Sequence, residues 1–377
     1  MAEKDEKMSE LDKCSDFEQV LTSVRDFVNS LRLSDEEKNV FVKEETELFE
    51  DVKFNLVPSF TEADKEKTKT YEAAAETKEE HESRVLVFSL NEKTEIPLKQ
   101  MYDVERPILF RFGSEERFWI VDEPEESHFR FCHFEGKFLI RKFSVPKGSE
   151  RCCMGYPINM ILDKKGCLYI LDGLLQTVHK FSPEGVCDIN FEERMMTASP
   201  LLSVQDFDLL EYSNALFVTD YAKGALRKFS LDGRELGEVD IAGDKKEALI
   251  EMPTGVAALP DGRHFVIDPV HRLMVEFAFN EKVGRIFNLG KGAGRKKVFF
   301  TMMQAGPGGT LFLADFFAQR IRVYDSGGQF LGQINIGAGT DFPDVTLGFF
   351  DVRSDGRVFI LDPNSLKIHC LERRFDT

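Results

Sequence analysis

One spacing constrains this chain more than any other. An Asp that ends an apolar run is followed nine residues later by an apolar or aromatic residue, and this happens six times. The pairs are Asp122/Phe131, Asp172/Phe181, Asp220/Phe229, Asp268/Phe277, Asp315/Tyr324 and Asp362/Leu371, and successive Asp residues are 50, 48, 48, 47 and 47 apart. A period of that size means a row of like supersecondary units. Each Asp is therefore read first as a structural residue, closing a strand and accepting hydrogen bonds from the loop behind it.

Other positions keep the same frame. Six residues before the Asp stand Glu116, Gly166, Asn214, Gly262, Gly309 and Gly356. Gly and Asn tolerate a left-handed backbone, so a tight turn is expected in five of the six copies. Six residues after it stand His128, Val178, Leu226, Met274, Ile321 and Ile368, apolar in five. Pro107, Pro157 and Pro253 sit fifteen before it, and HFEGK, SPEGV, SLDGR and DSGGQ follow the third apolar run as turn signals. Each unit reads as four short antiparallel strands. Four strands repeated radially make a propeller blade, so the expected fold is an all-β propeller of six blades. The last copy lacks a fourth strand, and RVLVFSL at 84–90 alternates well enough to supply it. Closing the ring that way removes an exposed edge.

The segment PTGVAALPDGRHFVIDPVHRLMVEF, residues 253–277, resembles the NHL repeat, as does LFLADFFAQRIRVYDSGGQF at 311–330. LFVTDYAKGALRKFSLDGR (216–234) and RSDGRVFILDPNSLKIHCL (353–371) resemble it less closely, and the first two blades are degenerate. The resemblance covers about residues 84–377 and is similar to the propeller of TRIM-NHL proteins. It implies an NHL-type six-bladed propeller, and it says little about activity because the fold hosts many functions. NHL proteins that act in ubiquitination carry a RING and B-boxes ahead of the propeller. Residues 1–83 here hold one Cys and one His, so no such zinc module is expected.

The charge is uneven. The chain carries a net charge of −17, of which residues 1–83 contribute −12 (12 Lys+Arg against 24 Asp+Glu). Residues 221–330 hold 16 Lys+Arg and 13 Asp+Glu, a mildly basic arc of +3. In the acidic segment, Phe17, Leu21, Val24, Val28 and Leu31 are spaced as an amphipathic helix, and Ser34 with Glu37 reads as a capping box for a second. Residues 1–60 are expected to form a helical hairpin or short coiled coil, 61–83 a charged linker, and the whole a monomer or a weak dimer through residues 17–57. The N-terminus shows no apolar signal sequence and no uncharged run spans a membrane, which suggests a cytoplasmic chain without membrane contact. The seven Cys lack C-x-x-C spacing. They are read as reduced thiols, neither a disulfide framework nor a zinc site. No metal and no cofactor are expected.

Function is expected on the rim that carries the loops after each Asp. The residue following the Asp is Glu123, Gly173, Tyr221, Pro269, Phe316 and Pro363 in turn. Lys223, His271, Arg272, Phe317 and Arg320 are expected beside them, with Lys291, Arg295, Lys296 and Lys297 in the linker between the fourth and fifth blades. The leading expectation is a scaffold or adaptor that binds a protein partner there. The alternative is single-stranded RNA on the basic arc, cations holding phosphate while Tyr221, Phe316 and Phe317 stack bases. DNA is not expected. GKGAG at 290–294 does not match a phosphate loop, since no Lys-Ser/Thr follows. A metal-dependent lyase or lactonase-like propeller is a remote alternative. Of His81, His128, His133, His179, His264, His271 and His369, no three are expected to converge on the channel, so the chain is read as not an enzyme.

Overall fold

The computed structural model describes residues 86–374, apart from 92–93, 103, 114–115, 211–212, 240–249 and 290–299. The helices expected in residues 1–60 and the linker at 61–83 lie outside the described residues. So do Lys291, Arg295, Lys296 and Lys297.

Six antiparallel sheets succeed one another along the chain. The chain enters through β1 (Val87–Leu90), β2 (Ile96–Pro97) and α1 (Leu98–Tyr102). Blade 1 is β3 (Pro107–Phe112), β4 (Arg117–Glu125), β5 (His128–Glu135) and β6 (Phe138–Pro146). Blade 2 is β7 (Pro157–Leu162), β8 (Leu168–Asp172) and β9 (Thr177–Phe181), followed by α2 (Ile189–Thr197). Blade 3 is β10 (Val204–Leu210), β11 (Ala215–Asp220), β12 (Ala225–Ser230) and β13 (Glu235–Glu238). Blade 4 is β14 (Gly255–Ala258), β15 (His264–Asp268), β16 (Leu273–Phe277) and β17 (Val283–Asn288). Blade 5 is β18 (Met302–Ala305), β19 (Leu311–Asp315), β20 (Arg320–Tyr324) and β21 (Phe330–Asn335). Blade 6 is β22 (Phe349–Val352), β23 (Val358–Asp362) and β24 (Lys367–Arg374). The fold is a six-bladed all-β propeller.

The second strands explain why the repeat reads as uninterrupted apolar runs rather than alternation. LYILD, HFVID, LFLAD and VFILD are buried at every position, because each blade is covered on both faces by its neighbours. Aromatic rings fill those faces. Phe131 stacks on Phe143 at 4.9 Å and meets Phe181 of blade 2 at 5.8 Å. Phe112 meets Phe359 of blade 6 at 4.5 Å. Each such buried ring contributes about 1.5–3 kcal/mol relative to exposure.

The ring closes with its ends interlocked. β1 pairs antiparallel with β24, Val87 opposite Arg374 and Leu90 opposite Leu371. The first strand of the described chain is thus the outer strand of the last blade. Leu86 and Phe88 are buried, and the Leu86 N–H donates to Leu331 O of blade 5 at 2.6 Å.

Two expectations need correction. Blade 2 has three strands, not four. Its outer segment makes one bridge, Cys187 to Phe181, and then turns into α2, whose N-cap Asp188 accepts from Phe191 N. INFEERMMT has helix-forming Glu, Arg and Met and no strand alternation, so the local preference overrides the repeat. The thiols are not all reduced either. Cys152 and Cys187 form a disulfide, with Cα atoms 5.9 Å apart. The separation of 35 residues follows no recognised motif. The missing strand is what lets Cys187 reach the linker that carries Cys152.

Candidate functional site

The repeated Asp residues build one rim. Every one is buried. In five blades its carboxylate accepts backbone N–H groups from the loop that follows. Asp172 takes Leu174 and Leu175, Asp220 takes Lys223, and Asp268 takes Val270 and His271. Asp315 takes Ala318, and Asp362 takes Asn364 and Ser365. In blades 2 to 4 the same carboxylate also accepts from the linker that enters its blade, Gly155 and Tyr156, Leu202 and Ser203, Glu251 and Met252, and in blade 1 Asp122 accepts from the linker residues Glu105 and Arg106. Loop and linker therefore share the rim because one side chain bonds both.

These loops have a common backbone that the sequence does not advertise. The fourth residue after the Asp is left-handed in five blades: Gln176, Gly224, Arg272, Gln319 and Leu366, with φ between 49° and 60°. Four of these are not glycine, so the surrounding hydrogen bonds hold a conformation that costs about 1–3 kcal/mol in a non-glycine residue. The expected Gly turns are found on the opposite rim, where Gly166, Asn214, Gly262, Gly309 and Gly356 all have positive φ.

The rim is therefore a rigid frame with variable side chains. The second residue after the Asp points outward in blades 2 to 6: Leu174, Ala222, Val270, Phe317 and Asn364 are exposed. Leu174 is 58%, Val270 41% and Phe317 37% exposed, and Leu202 in the adjoining linker is 53%. Lys223 and Arg272 are exposed, as is His271, whose Nδ1 lies 2.9 Å from Asp268.

Several rim residues singled out from sequence are placed otherwise. Tyr221 is buried, so it is no stacking platform. Arg320 is buried too and donates to Asp315 at 2.9 Å, since its strand position aims it at that carboxylate. Glu123 is buried between Arg106 and Lys147, and Pro269 is buried. Gly173 sits where a Cβ would come within 2.8 Å of Ile158. Phe316 and Pro363 are half-buried.

The first strands, which surround the central channel, carry a second polar system. Asp206 of β10 accepts from Asn159 of blade 2 at 2.7 Å, Val256 N of blade 4 at 3.2 Å and Met303 N of blade 5 at 3.1 Å, and from its own neighbour Phe207 N at 2.9 Å. One carboxylate thus ties four blades. Its complete burial raises its pKa to about 8 against the pull of those donors. Asp351 of blade 6 accepts from Arg111 at 2.8 Å and Phe112 N at 2.7 Å, and burial outweighs the guanidinium to raise its pKa also. Gln304 bonds Phe350 O and Val352 N, and Asp208 takes Ala258 N. Inner strands of adjacent blades do not form ladders with each other, so side chains satisfy their backbone groups. A cavity of about 180 Å³ lies among Arg111, Asn159, Asp208, Gln304, Ala258 and Val352. Ala258 and Val352 end their first strands, so the cavity lies toward the Gly-turn rim. Sequence reading missed this system. Its only signal is a polar residue inside a short apolar run, as in DFDLL, MMQA and FFDV.

The His residues pair with the repeat. His179 bridges Asp172 and Glu192 at 3.2 and 2.7 Å. His369 lies 2.7 Å from Glu95 and 3.5 Å from Asp362. Burial lowers its pKa, but the Asp362 and Glu95 carboxylates win and leave it raised. A raised folded-state pKa gives stability that is full below the ordinary His value and lost as pH rises through the raised one. His369→Gln is therefore expected to lower the urea midpoint most at pH 6, with the gap to wild type narrowing by pH 9. His264 is fully buried between the Phe217 and Phe277 rings, and desolvation drives its pKa down to about 3. No His stands on any of the six first strands.

No family model matches the chain, and no curated protein matches it. Solved structures do. A streptogramin B lyase superposes with a TM-score of 0.51 at 10% identity, over 78% of this chain and 100% of the other. Selenomethionine-substituted virginiamycin B lyase from Staphylococcus aureus, and a catalytically inactive variant of that lyase with quinupristin, each give 0.50 at 12% identity. Those two cover 76% of this chain and 99% of the other. At such identity the likeness is one of fold. It nonetheless corrects one expectation. The reading of this chain as not an enzyme is withdrawn, because the solved propellers it matches are lyases.

Proposed function

We propose that the Asp-loop rim is a docking surface for a protein partner and that the propeller serves as its rigid scaffold. The observation that carries this reading is the shared loop backbone with exposed Leu174, Val270 and Phe317 at one register, joined by Leu202. Apolar side chains held outward at equivalent points of a fixed frame are what an interface core needs. The NHL resemblance of residues 253–277 and 311–330 supports it, and NHL membership is itself part of the proposal. The test is affinity capture with the full chain against Leu174→Asp/Val270→Asp/Phe317→Asp. Ile140→Lys, on the exposed outer strand of blade 1 at the other rim, is the control. A partner kept by the control and lost by the triple variant supports the reading. A partner kept by both overturns it.

Single-stranded RNA is the competing ligand for this rim. It has lost Tyr221 and Arg320 as surface groups and retains Lys223, Arg272 and Phe317. Binding of an RNA pool at low and physiological salt separates the two, since phosphate contacts weaken steeply with salt.

The lyase neighbours favour a second reading, chemistry on a ligand bound over the channel cavity, with Arg111 and Asp208 beside it. Incubating the chain with quinupristin and following the ligand by mass tests it. Turnover that Asp208→Asn abolishes supports catalysis there, provided the variant unfolds in urea as the wild type does, since Asn can accept from only one of Leu209 N and Ala258 N. No turnover removes this substrate.

A further inference from the structure

We propose that Cys152, Cys187 and Glu192 form a divalent-cation site of the zinc class once their disulfide is reduced, and that this site anchors the segment replacing the fourth strand of blade 2. Among the described residues they are the one group of three potential ligands whose donor atoms lie within 4.8 Å of one another.

The geometry makes the disulfide an incomplete description of this cluster. Cys187 Sγ lies 3.4 Å from Glu192 Oε1. In the oxidised form neither sulfur carries a hydrogen, so two lone-pair atoms face each other there with nothing positive between them. A thiol proton or a bound cation supplies it. In a tetrahedral zinc site with Zn–S of about 2.3 Å and Zn–O of about 2.1 Å, a sulfur and an oxygen ligand stand about 3.6 Å apart. The observed separation needs almost no change. The sulfurs must part from bonding distance to about 3.8 Å, the spacing of two thiolates on one zinc. Cα atoms 5.9 Å apart leave room for that by side-chain rotation.

The surroundings are already built for a ligand set. Glu192 is buried, its Oε2 accepts from Cys152 N at 2.9 Å, and its Oε1 lies 2.7 Å from His179 Nδ1. A carboxylate oriented by its own hydrogen bonds is what metal ligands use. Cys152 is left-handed at φ 58°, an unfavourable conformation for a side-chain-bearing residue. Both cysteines are only half-buried, and a water could complete the ligand set.

The chemistry balances. A dithiol reductant supplies two electrons and two protons, opens the S–S bond to two thiols and is itself oxidised to a disulfide. Cation binding then releases both protons, since zinc binds thiolates.

The test uses the full chain, reduced and desalted without oxygen, against the same chain oxidised. Zinc is titrated against a chromogenic competitor, and cobalt is added to read the thiolate charge-transfer band. One equivalent bound by the reduced chain and none by the oxidised chain is expected. Cys187→Ser should abolish binding, Glu192→Gln should weaken it at least tenfold, and Cys153→Ser should leave it unchanged. The wild-type comparison needs no substitution, so a misfolded variant cannot hide the result. No stoichiometric metal on the reduced wild-type chain, or equal binding by Cys187→Ser, overturns the proposal.

Discussion

Asp206→Ala is expected to cost at least about 3 kcal/mol, the scale of leaving several buried hydrogen-bond donors without an acceptor at once. The change strands Asn159 Nδ2 and the N–H groups of Phe207, Val256 and Met303, all in the channel wall. Each buried donor left without an acceptor costs about 1–3 kcal/mol. Asp206→Asn is not a rescue, since its amide nitrogen must face two of those donors. Urea unfolding of the three proteins checks this. A loss under about 1 kcal/mol for Asp206→Ala would mean that water replaces the carboxylate and that the channel is wetter than its packing indicates.

Removing residues 1–90 is expected to cost more than about 4 kcal/mol relative to removing residues 1–85, because it takes away the buried Leu86 and Phe88, uncovers the apolar surface they pack against and strips the ladder from β24. The shorter truncation keeps β1 and should melt as a single cooperative unit. The longer one should melt at lower temperature and self-associate through the bare edge of β24. Matching melting curves for the two would show that closure by β1 adds nothing to stability.

The fold was legible because its signal repeats. Any one of the runs ending in Asp268 or Asp315 is an ordinary strand, whereas six in one frame leave a radial architecture as the natural solution. The left-handed turn at Gly262 could be read because glycine announces it. The equivalent conformation at Arg272 and Gln319 could not, because hydrogen bonds to a distant carboxylate impose it on residues that do not prefer it. Tyr221 and Arg320 were misplaced for a related reason: position in a loop or at a strand end says nothing of which way a long side chain turns. Arg320 follows Asp315 at the distance where its guanidinium folds back onto it. The channel system was missed because Asp206 and Asp351 look like surface residues in sequence. Their partners lie 50 and 240 positions away. Blade 2 departed from the repeat where INFEERMMT has helical preference, a local signal that the periodicity drowned.

The pairing of Val87 with Arg374 also orders events in time. On the ribosome, VFSL emerges long before LKIHCLERR, so the strand that completes the ring must wait, unpaired and apolar, while nearly the whole propeller is made. Loop closure over that length is slow. During that interval the segment is exposed apolar surface of the kind that makes folding intermediates prone to aggregate. A chain broken off anywhere before Lys367 can never dock it. A chain that stops short of β24 leaves Leu86 and Phe88 without the cover they have in the closed ring.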